Sequence, residues 1–312
     1  MRLGISSCLL GQEVRFDGGH KRSRFLTDIL GPFVEWVPIC PEVEVGMGIP
    51  RETVRLVRQG DDVRMVAPKS EVDWTDRMNR YAQRRVRALP KLELSGYVLK
   101  KDSPSCGFTR VRVYGAKGMP EKKGRGLFAA ELVDAFPHLP VEDEGRLNDP
   151  VLRENFIERI FAYRRLRDRF QGRWTLGEVV AFHAAHKLQI MSHSPKAYTE
   201  LGRLVGEGKK LPRDELRARY EEGFMTALSA HATVRRNVNT LHHIMGYFKK
   251  SLAGRAKQEL LGLIEDYRSG LVPLVVPLTL VRHYVAEFDI AYLQDQHYLE
   301  PHPKELMLRN HC

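Results

Sequence analysis

The segments SSCLLGQEVRFDG (residues 6–18), PICPEVEVGMGIPRE (residues 38–52) and KKDSPSCGFTR (residues 100–110) each place a cysteine shortly after an apolar run. Gly, Pro and Asp residues surround the cysteines, and apolar runs bounded by such residues are typical of strands. Open α/β sheets present ligands where their strands end. We therefore expect an α/β domain in which three strand ends bring Cys8, Cys40 and Cys106 together.

The rest of the first half supports this fold class. Apolar runs at residues 3–6, 33–39, 54–57, 63–67 and 94–99 predict strands, and the sequence QGDD at residues 59–62 predicts a hairpin turn between two of them. Residues 76–89 place their apolar side chains on one stripe at helical spacing, so we expect a helix there. Residues 124–136 open with a glycine and predict a second helix.

The sequence changes character at EDEGRLNDP, residues 142–150, a polar and turn-forming stretch. Nearly everything from residue 151 onward has helical periodicity. We therefore expect two domains: an α/β domain with a central sheet at residues 1–146, followed by an all-α domain at residues 147–312. A chain of 312 residues is long enough for two such cores.

The beginning of the chain lacks the apolar segment of a signal peptide, and no apolar run is long enough to span a membrane. We therefore expect a cytoplasmic protein without a membrane partner, and no feature implies an obligate protein partner. In a reducing compartment, cysteines serve metal binding or catalysis better than a disulfide framework. Cys312 has no motif around it and is expected to be a solvated tail.

The charge is unusually positive, at +11. Residues 1–146 contain 25 Lys and Arg against 20 Asp and Glu, and residues 147–312 contain 25 against 19. Such a distribution is expected if a phosphate-rich partner contacts both domains, although a generally basic proteome also produces it. Charge alone leaves nucleic-acid binding open.

A set of three cysteines is unusual for a structural zinc site, which normally has four protein ligands. A cubane iron–sulfur cluster held by three cysteines instead leaves one iron without a protein ligand. For any single cysteine, burial as a small apolar side chain is the simpler interpretation. The turns beside Cys40 and Cys106 favour a shared site over that alternative.

The three cysteine motifs resemble the signatures of the thiouracil desulfidase family, and the resemblance covers nearly all of residues 1–146. It implies a [4Fe-4S] cluster held by Cys8, Cys40 and Cys106, whose remaining iron binds the sulfur of a thiolated pyrimidine. It also implies a non-redox reaction, in which the carbon–sulfur bond is replaced by a carbonyl and sulfide is released.

Such a reaction requires a group that moves protons. Glu42, two residues after the second cysteine, and Ser103, three before the third, are the nearest polar side chains in the motifs and align with the family's acid–base positions. We expect Glu42 to transfer a proton and Ser103 to orient or relay one. The alternatives are that Glu42 pairs structurally with Arg51 and that Ser103 only starts a turn; Glu44 is a weaker candidate for the base.

Several charged residues flank the motifs and are candidates for substrate binding. Asp17 is a possible site residue, although an Asp-Gly pair is more often a turn. The basic residues expected to line the mouth of the site and hold phosphates, with plain solvation as the alternative for each, are Lys21, Arg22, Arg24, Lys100 and Lys101.

The second half resembles a helical domain that is often fused to this desulfidase domain, through segments at residues 186–205, 235–252 and 292–306. A free base needs no added helical domain with a positive charge, so we expect RNA contacts there. The predicted contacts are Arg235, Arg236, Asn237, Asn239, His242, His243, Lys249 and Lys250, with Tyr247, Phe248 and Tyr298 as stacking candidates and core packing favoured for Phe248. His183, His186 and His193 are expected in the core or facing RNA.

The combined pattern resembles the two-domain branch of the family that removes sulfur from 4-thiouridine in tRNA. The first alternative is the same chemistry on a free thiouracil or thionucleoside, with a structural role for the helical domain. The second is a non-catalytic RNA- or DNA-binding accessory protein with a structural zinc ion.

Overall fold

The computed structural model describes residues 1–115, 119–252 and 254–311, and the chain forms two compact units, Met1–Asp149 and Pro150–Cys312. The first unit combines sheets with helices, and the described part of the second contains helices and no strand. The predicted fold class is therefore confirmed. Cys312 lies outside the described residues.

The first sheet of the first unit is parallel throughout and has the strand order β2-β1-β5-β8. Its strands are β1 (Arg2–Ser6), β2 (Glu35–Ile39), β5 (Leu94–Leu99) and β8 (Val141–Asp143). All six residues of β5 are buried. Gly4 in β1 is needed for close packing, because a Cβ there would come within 2.2 Å of the Tyr97 ring. Parallel strands end at the same edge, so the loops after β1, β2 and β5 leave from one side.

The second sheet has the order β4-β3-β6-β7 and consists of β3 (Arg55–Gln59), β4 (Asp62–Val66), β6 (Val111–Tyr114) and β7 (Glu121–Gly124). The predicted hairpin turn joins β3 to β4, and Gly60 adopts a φ of +63° that favours glycine. The helix predicted at residues 124–136 is present, but it begins later, at Leu127, because Gly124 ends β7 and pairs with Val111 of β6.

Three α-helices complete the described first unit: α1 (Pro41–Glu44), α2 (Thr75–Ala88) and α3 (Leu127–Ala135). The helix predicted at residues 76–89 is confirmed as α2, whose stripe of Met78, Ala82 and Val86 is buried. The strand predicted from residue 33 begins instead at Glu35, since residue 33 belongs to a short 3-10 turn, Gly31–Phe33, that contains Pro32.

The second unit consists of eight α-helices within the described residues: α4 (Pro150–Phe170), α5 (Leu176–His193), α6 (Pro195–Gly206), α7 (Arg213–Ser229), α8 (Val234–Met245), α9 (Gly254–Arg268), α10 (Val275–Glu287) and α11 (Ala291–Gln294). Sequence signals set their limits: Thr175 forms a capping box with Glu178 at the start of α5, and Ser194 caps α6. In the described part of the chain, no helix is both long and apolar enough to cross a membrane.

Candidate functional site

The three cysteines border one cavity of about 350 Å³ beyond the carboxyl ends of β1, β2 and β5. Cys8 lies in a 3-10 turn directly after β1, Cys40 is the residue between β2 and α1, and Cys106 lies in the loop after β5. All three are free thiols. The parallel sheet therefore brings the three motifs to one place, as the sequence predicts.

Burial makes the three thiols hard to ionise while no cation is bound. It raises the pKa of Cys8 to about 11, against the opposing charge of Lys100, and it also raises the pKa values of Cys40 and Cys106. A charge on Cys40 further raises the pKa of both other thiols. The thiols thus interact electrostatically, and thiolates here need a cationic group to stabilise them.

The Glu42 carboxylate is held at one of its two oxygens. Its Oε2 accepts hydrogen bonds from Nη2 and Nε of Arg51, at 2.6 and 3.0 Å. The Arg51 side chain is only 6% exposed and also donates from Nη1 to the carbonyl oxygen of Val14 at 3.0 Å. The structural pairing of Glu42 with Arg51 therefore exists, but it fixes the carboxylate in the cavity wall rather than removing it from the site.

The second oxygen of Glu42 faces two serines. Ser105 Oγ donates to Glu42 Oε1 at 2.7 Å and lies 3.7 Å from the Cys106 sulfur, and Ser103 Oγ is 3.3 Å from the same carboxylate oxygen. The two hydroxyls are 3.0 Å apart, and the Cys106 N–H donates to Ser103 Oγ at 3.1 Å. A continuous hydrogen-bonded chain therefore links Glu42 to the third cysteine.

Ser105 is a site residue that the sequence interpretation missed. Its position next to Cys106 in SPSCG is a signal, but a serine in a Pro-containing turn is easily attributed to the turn itself. The competing carboxylate, Glu44, does not border the cavity. It accepts a hydrogen bond from the Tyr81 hydroxyl at 2.8 Å and from the Cys40 N–H at 3.3 Å.

Two of the predicted basic residues, Lys100 and Lys101, border the cavity. Lys100 forms an ion pair with Glu144 and donates to the Lys101 carbonyl oxygen at 3.0 Å. Glu144 also accepts from the Lys101 N–H at 2.7 Å, which fixes this short turn. Lys100 therefore contributes positive charge near Cys8, but it is already paired.

Asp17 does not border the cavity. Its carboxylate accepts a hydrogen bond from the Gly19 N–H at 3.1 Å and pairs with Arg15 at 3.4 Å, so it stabilises a turn. The Gly19 hydrogen bond is the main reason that the Asp17 pKa is lowered. Arg15, which the sequence interpretation did not select, borders the cavity together with Phe16.

Lys21, Arg22 and Arg24 are exposed and lie outside the cavity wall. Arg22 is paired with Asp28 at 2.6 Å. The backbone N–H of Lys21 donates to the Cys8 carbonyl oxygen at 2.9 Å, so this segment supports the first cysteine through its backbone.

The predicted RNA contacts of the second unit divide into exposed and buried residues. Arg236 is half-buried and donates to the His231 carbonyl oxygen at 3.0 Å. Tyr247 is 37% exposed and its ring stacks on that of Tyr292 at 4.8 Å. The other predicted contacts that are exposed, on α8 and just after it, are Arg235, Asn239, His242, His243, Lys249 and Lys250.

Two of the predicted RNA contacts are wrong because their side chains belong to the core. Tyr298 is fully buried and donates from its hydroxyl to Asn237 Oδ1 at 3.1 Å, and Asn237 Nδ2 bonds the Tyr267 hydroxyl at 3.2 Å. Phe248 is 1% exposed, as its core alternative predicts. The histidines predicted to face the core or RNA are all buried: His183, His186 and His193.

The donor set at the cavity suits a polynuclear group. A structural zinc site normally has four protein ligands, and the cavity wall contains three cysteines. The cavity has room for more than a single ion, and thiolate sulfur is the donor that iron–sulfur clusters take. Cys8, Cys40 and Cys106 therefore fit the cluster that the resemblance implies.

Comparison with known proteins gives matches in both halves of the chain. Residues 3–144 match the family described as 2-thiouracil desulfurase, and residues 187–303 match a family of proteins of unknown function, DUF1722. The chain is 33% identical over 158 residues to the uncharacterized protein YbgA of Escherichia coli (strain K12), covering 50% of this chain and 94% of that protein.

Two further similarities involve about half of the chain. The uncharacterized protein YbbK of Bacillus subtilis (strain 168) is 30% identical over 152 residues, which cover 46% of this chain and 97% of that protein. The solved structure of the [4Fe-4S]-dependent thiouracil desulfidase TudS has 30% identity and a TM-score of 0.40, and the match covers 47% of this chain and 93% of that one. Through residues 3–144, the chain belongs to the 2-thiouracil desulfurase family, and a DUF1722 region follows.

Proposed function

We propose that this protein is a [4Fe-4S]-dependent desulfidase that replaces the sulfur of 4-thiouridine in tRNA with oxygen. The observation that carries the proposal is the convergence of three cysteine thiols and the Glu42 carboxylate on one cavity of about 350 Å³. Membership of the 2-thiouracil desulfurase family supports the same chemistry.

Cys8, Cys40 and Cys106 are the proposed cluster ligands. When bound, a cluster with three protein thiolates supplies a thiophilic Lewis acid, because one iron lacks a protein ligand. The protein's part is to bury the thiols and to keep the surrounding loops in place. The hydrogen bond from the Lys100 N–H to Ser6 Oγ, at 2.9 Å, ties the loop after β5 to the end of β1.

Glu42 is the proposed general base for the attacking water. Arg51 holds its Oε2, so Oε1 is the oxygen that can accept a proton from water in the cavity. Ser105 and Ser103 lie against that oxygen and can pass the proton towards the departing sulfur along their hydrogen-bonded hydroxyls. Water supplies the carbonyl oxygen and two protons, sulfur leaves as hydrogen sulfide, and no electrons are gained or lost.

The distribution of positive charge supports RNA as the substrate. Both halves of the chain carry a surplus of positive residues, and exposed cations cluster on α8 and just after it, including Arg235, Lys249 and Lys250. Base-modifying enzymes that act within folded nucleic acid must expose the target base, at a cost of a few kcal/mol. Contacts between the helical unit and the tRNA backbone offset that cost in the proposed complex.

Substrate comparison under anaerobic conditions tests this function. Reconstituted protein is given 4-thiouridine-containing tRNA, free 4-thiouridine and 2-thiouracil, and loss of the thiocarbonyl absorbance is followed. The proposal expects the highest kcat/KM on tRNA, falling as salt is raised. Equal or faster turnover of the free compounds supports the free-thiobase alternative instead. A colourless protein that binds zinc and turns over none of them supports the accessory-protein alternative.

A further inference from the structure

The outer face of the second sheet carries exposed positive charge. Leu56, Met65, Val111 and Val113 face inward and are buried, so the residues beside them in each strand point outward. The outward positions in the middle of this sheet include Arg55, Arg112, Tyr114 and Lys122.

Three of these cations form a row across adjacent strands. Arg55 and Arg112 directly precede the paired residues Leu56 and Val113, so they lie side by side on β3 and β6. Arg112 is paired with Lys122 across β6 and β7. Since neighbouring strands are about 5 Å apart, the row spans about 10 Å.

This row of like charges lowers the stability of the folded sheet unless an anion binds to it. Like charges directly opposite on neighbouring strands destabilise a sheet, and Arg112 faces Lys122 in this way. Both side chains are exposed, and within the described residues neither makes an ion pair with a carboxylate. Arg64, in contrast, is paired with Asp73 and Asp76 at 3.5 and 3.3 Å.

An aromatic ring lies beside the row, and the row lies close to the cavity along the chain. The Arg55 guanidinium is 5.0 Å from the centre of the Tyr114 ring, which orients it. Thr53 and Val54 border the cavity, and the next residue is Arg55. A polymer whose reacting base occupies the cavity would therefore have its backbone within reach of this face.

We propose that the outer face of the second sheet, defined by Arg55, Arg112, Tyr114 and Lys122, binds the phosphate backbone of the RNA next to the thiolated nucleotide. The inference rests on the proposed function, since it names the part of the catalytic unit that holds the same RNA. Arg and Lys side chains contact the phosphates, and the partly exposed Tyr114 ring offers a stacking surface.

The test compares two triple variants with equal charge change. The first is Arg55→Gln, Arg112→Gln and Lys122→Gln; the control is Arg80→Gln, Arg84→Gln and Arg87→Gln, which removes three exposed cations from α2. Fluorescence anisotropy with fluorescein-labelled tRNA is measured over a range of salt. For the first variant we expect affinity to fall roughly tenfold or more and the salt slope to decrease by about 2, with the control close to wild type.

A single substitution separates binding from folding. Lys122→Glu places an acidic residue opposite Arg112, which turns a repulsive cross-strand pair into an attractive one. We expect the melting temperature to rise by about 1–3 °C while tRNA affinity falls, a combination that general damage to the fold does not produce.

The possible results distinguish the two proposals. If wild-type protein binds tRNA and the sheet variant keeps the same affinity and salt slope, the role of this face is overturned and the proposed function stands. If both triple variants lose affinity equally, the role of this face is also overturned, because the effect is then one of net charge. If the wild-type protein does not bind tRNA even at low salt, the proposed function itself fails.

Discussion

The cavity of the first unit and the α8 surface of the second differ in how their residues are brought together. At the cavity, three loops far apart in sequence meet because β1, β2 and β5 are parallel and end at one edge. On α8 and just after it, the exposed cations are neighbours in sequence and need only a helix to display them. Catalytic geometry thus depends on the fold of the first unit, whereas the proposed RNA contacts on and just after α8 depend on local exposure.

Removal of one thiol should have the largest effect. Cys106→Ala takes away a cluster ligand from a set of three, so we expect loss of bound iron, of visible absorbance and of turnover. Cys312→Ala is the matched control and should retain all of them. Iron and acid-labile sulfide analysis after anaerobic reconstitution measures the effect, and a fully loaded, active Cys106→Ala protein would contradict the ligand assignment.

Glu42→Gln should keep the cluster and lose the chemistry. The amide retains the shape of the side chain but cannot accept a proton from water, so we expect kcat to fall roughly 10²–10⁴-fold with unchanged iron content. Arg51 still has an oxygen to bind in this variant. Stopped assays with thiolated tRNA measure kcat, and wild-type turnover by Glu42→Gln would remove this residue from the mechanism.

Ser105→Ala should have a smaller effect than the change at Glu42. The substitution removes the hydroxyl that bonds Glu42 Oε1 at 2.7 Å, and we expect kcat to fall roughly tenfold to hundredfold. Ser105→Thr keeps the hydroxyl and should recover part of the rate. Equal rates for the alanine and threonine variants would show that the hydroxyl is not what matters at this position.

These predictions concern residues that the sequence could identify only in part. Cys8, Cys40, Cys106, Glu42 and Ser103 lie in short motifs whose spacing carries information, and the structure places all five at the cavity. The strands β6, β7 and β8, which are only three or four residues long, are not predicted from the sequence.

Pairing and burial explain the remaining differences. Lys21 and Arg24 lie close to Cys8 in sequence, but their side chains are exposed and do not border the cavity. Tyr298 and Asn237 are polar side chains that hydrogen-bond one another inside the core, and sequence alone does not reveal that a polar pair is buried. Which partner satisfies a polar group is decided by tertiary packing.

Neutralising the exposed lysines of the second unit should weaken binding without affecting chemistry. Lys249→Gln with Lys250→Gln removes two adjacent cations, so we expect a several-fold higher Kd for tRNA and a salt slope lower by about 1–2. The control is Lys209→Gln with Lys210→Gln, a second exposed pair of lysines. Anisotropy titrations measure both, and identical losses in the two double variants would assign the effect to net charge.

Tyr298→Phe should affect stability alone. Loss of the hydroxyl leaves the buried Asn237 Oδ1 without this donor, at a cost of about 1–3 kcal/mol in the free energy of unfolding. Urea denaturation measures that loss, and tRNA affinity should not change because the ring is fully buried. Weaker tRNA binding by a folded Tyr298→Phe protein would contradict a purely structural role and would support an RNA contact at this residue.

The most direct test of the account follows the oxygen atom. Anaerobically reconstituted protein is mixed with 4-thiouridine-containing tRNA in oxygen-18 water, without added oxidant or reductant, and the digested nucleosides are analysed by mass spectrometry. The account predicts uridine that carries one oxygen-18 atom, with one sulfide released for each uridine formed. Unchanged 4-thiouridine, or turnover that starts only when a reductant is added, would contradict a hydrolytic, non-redox desulfidase.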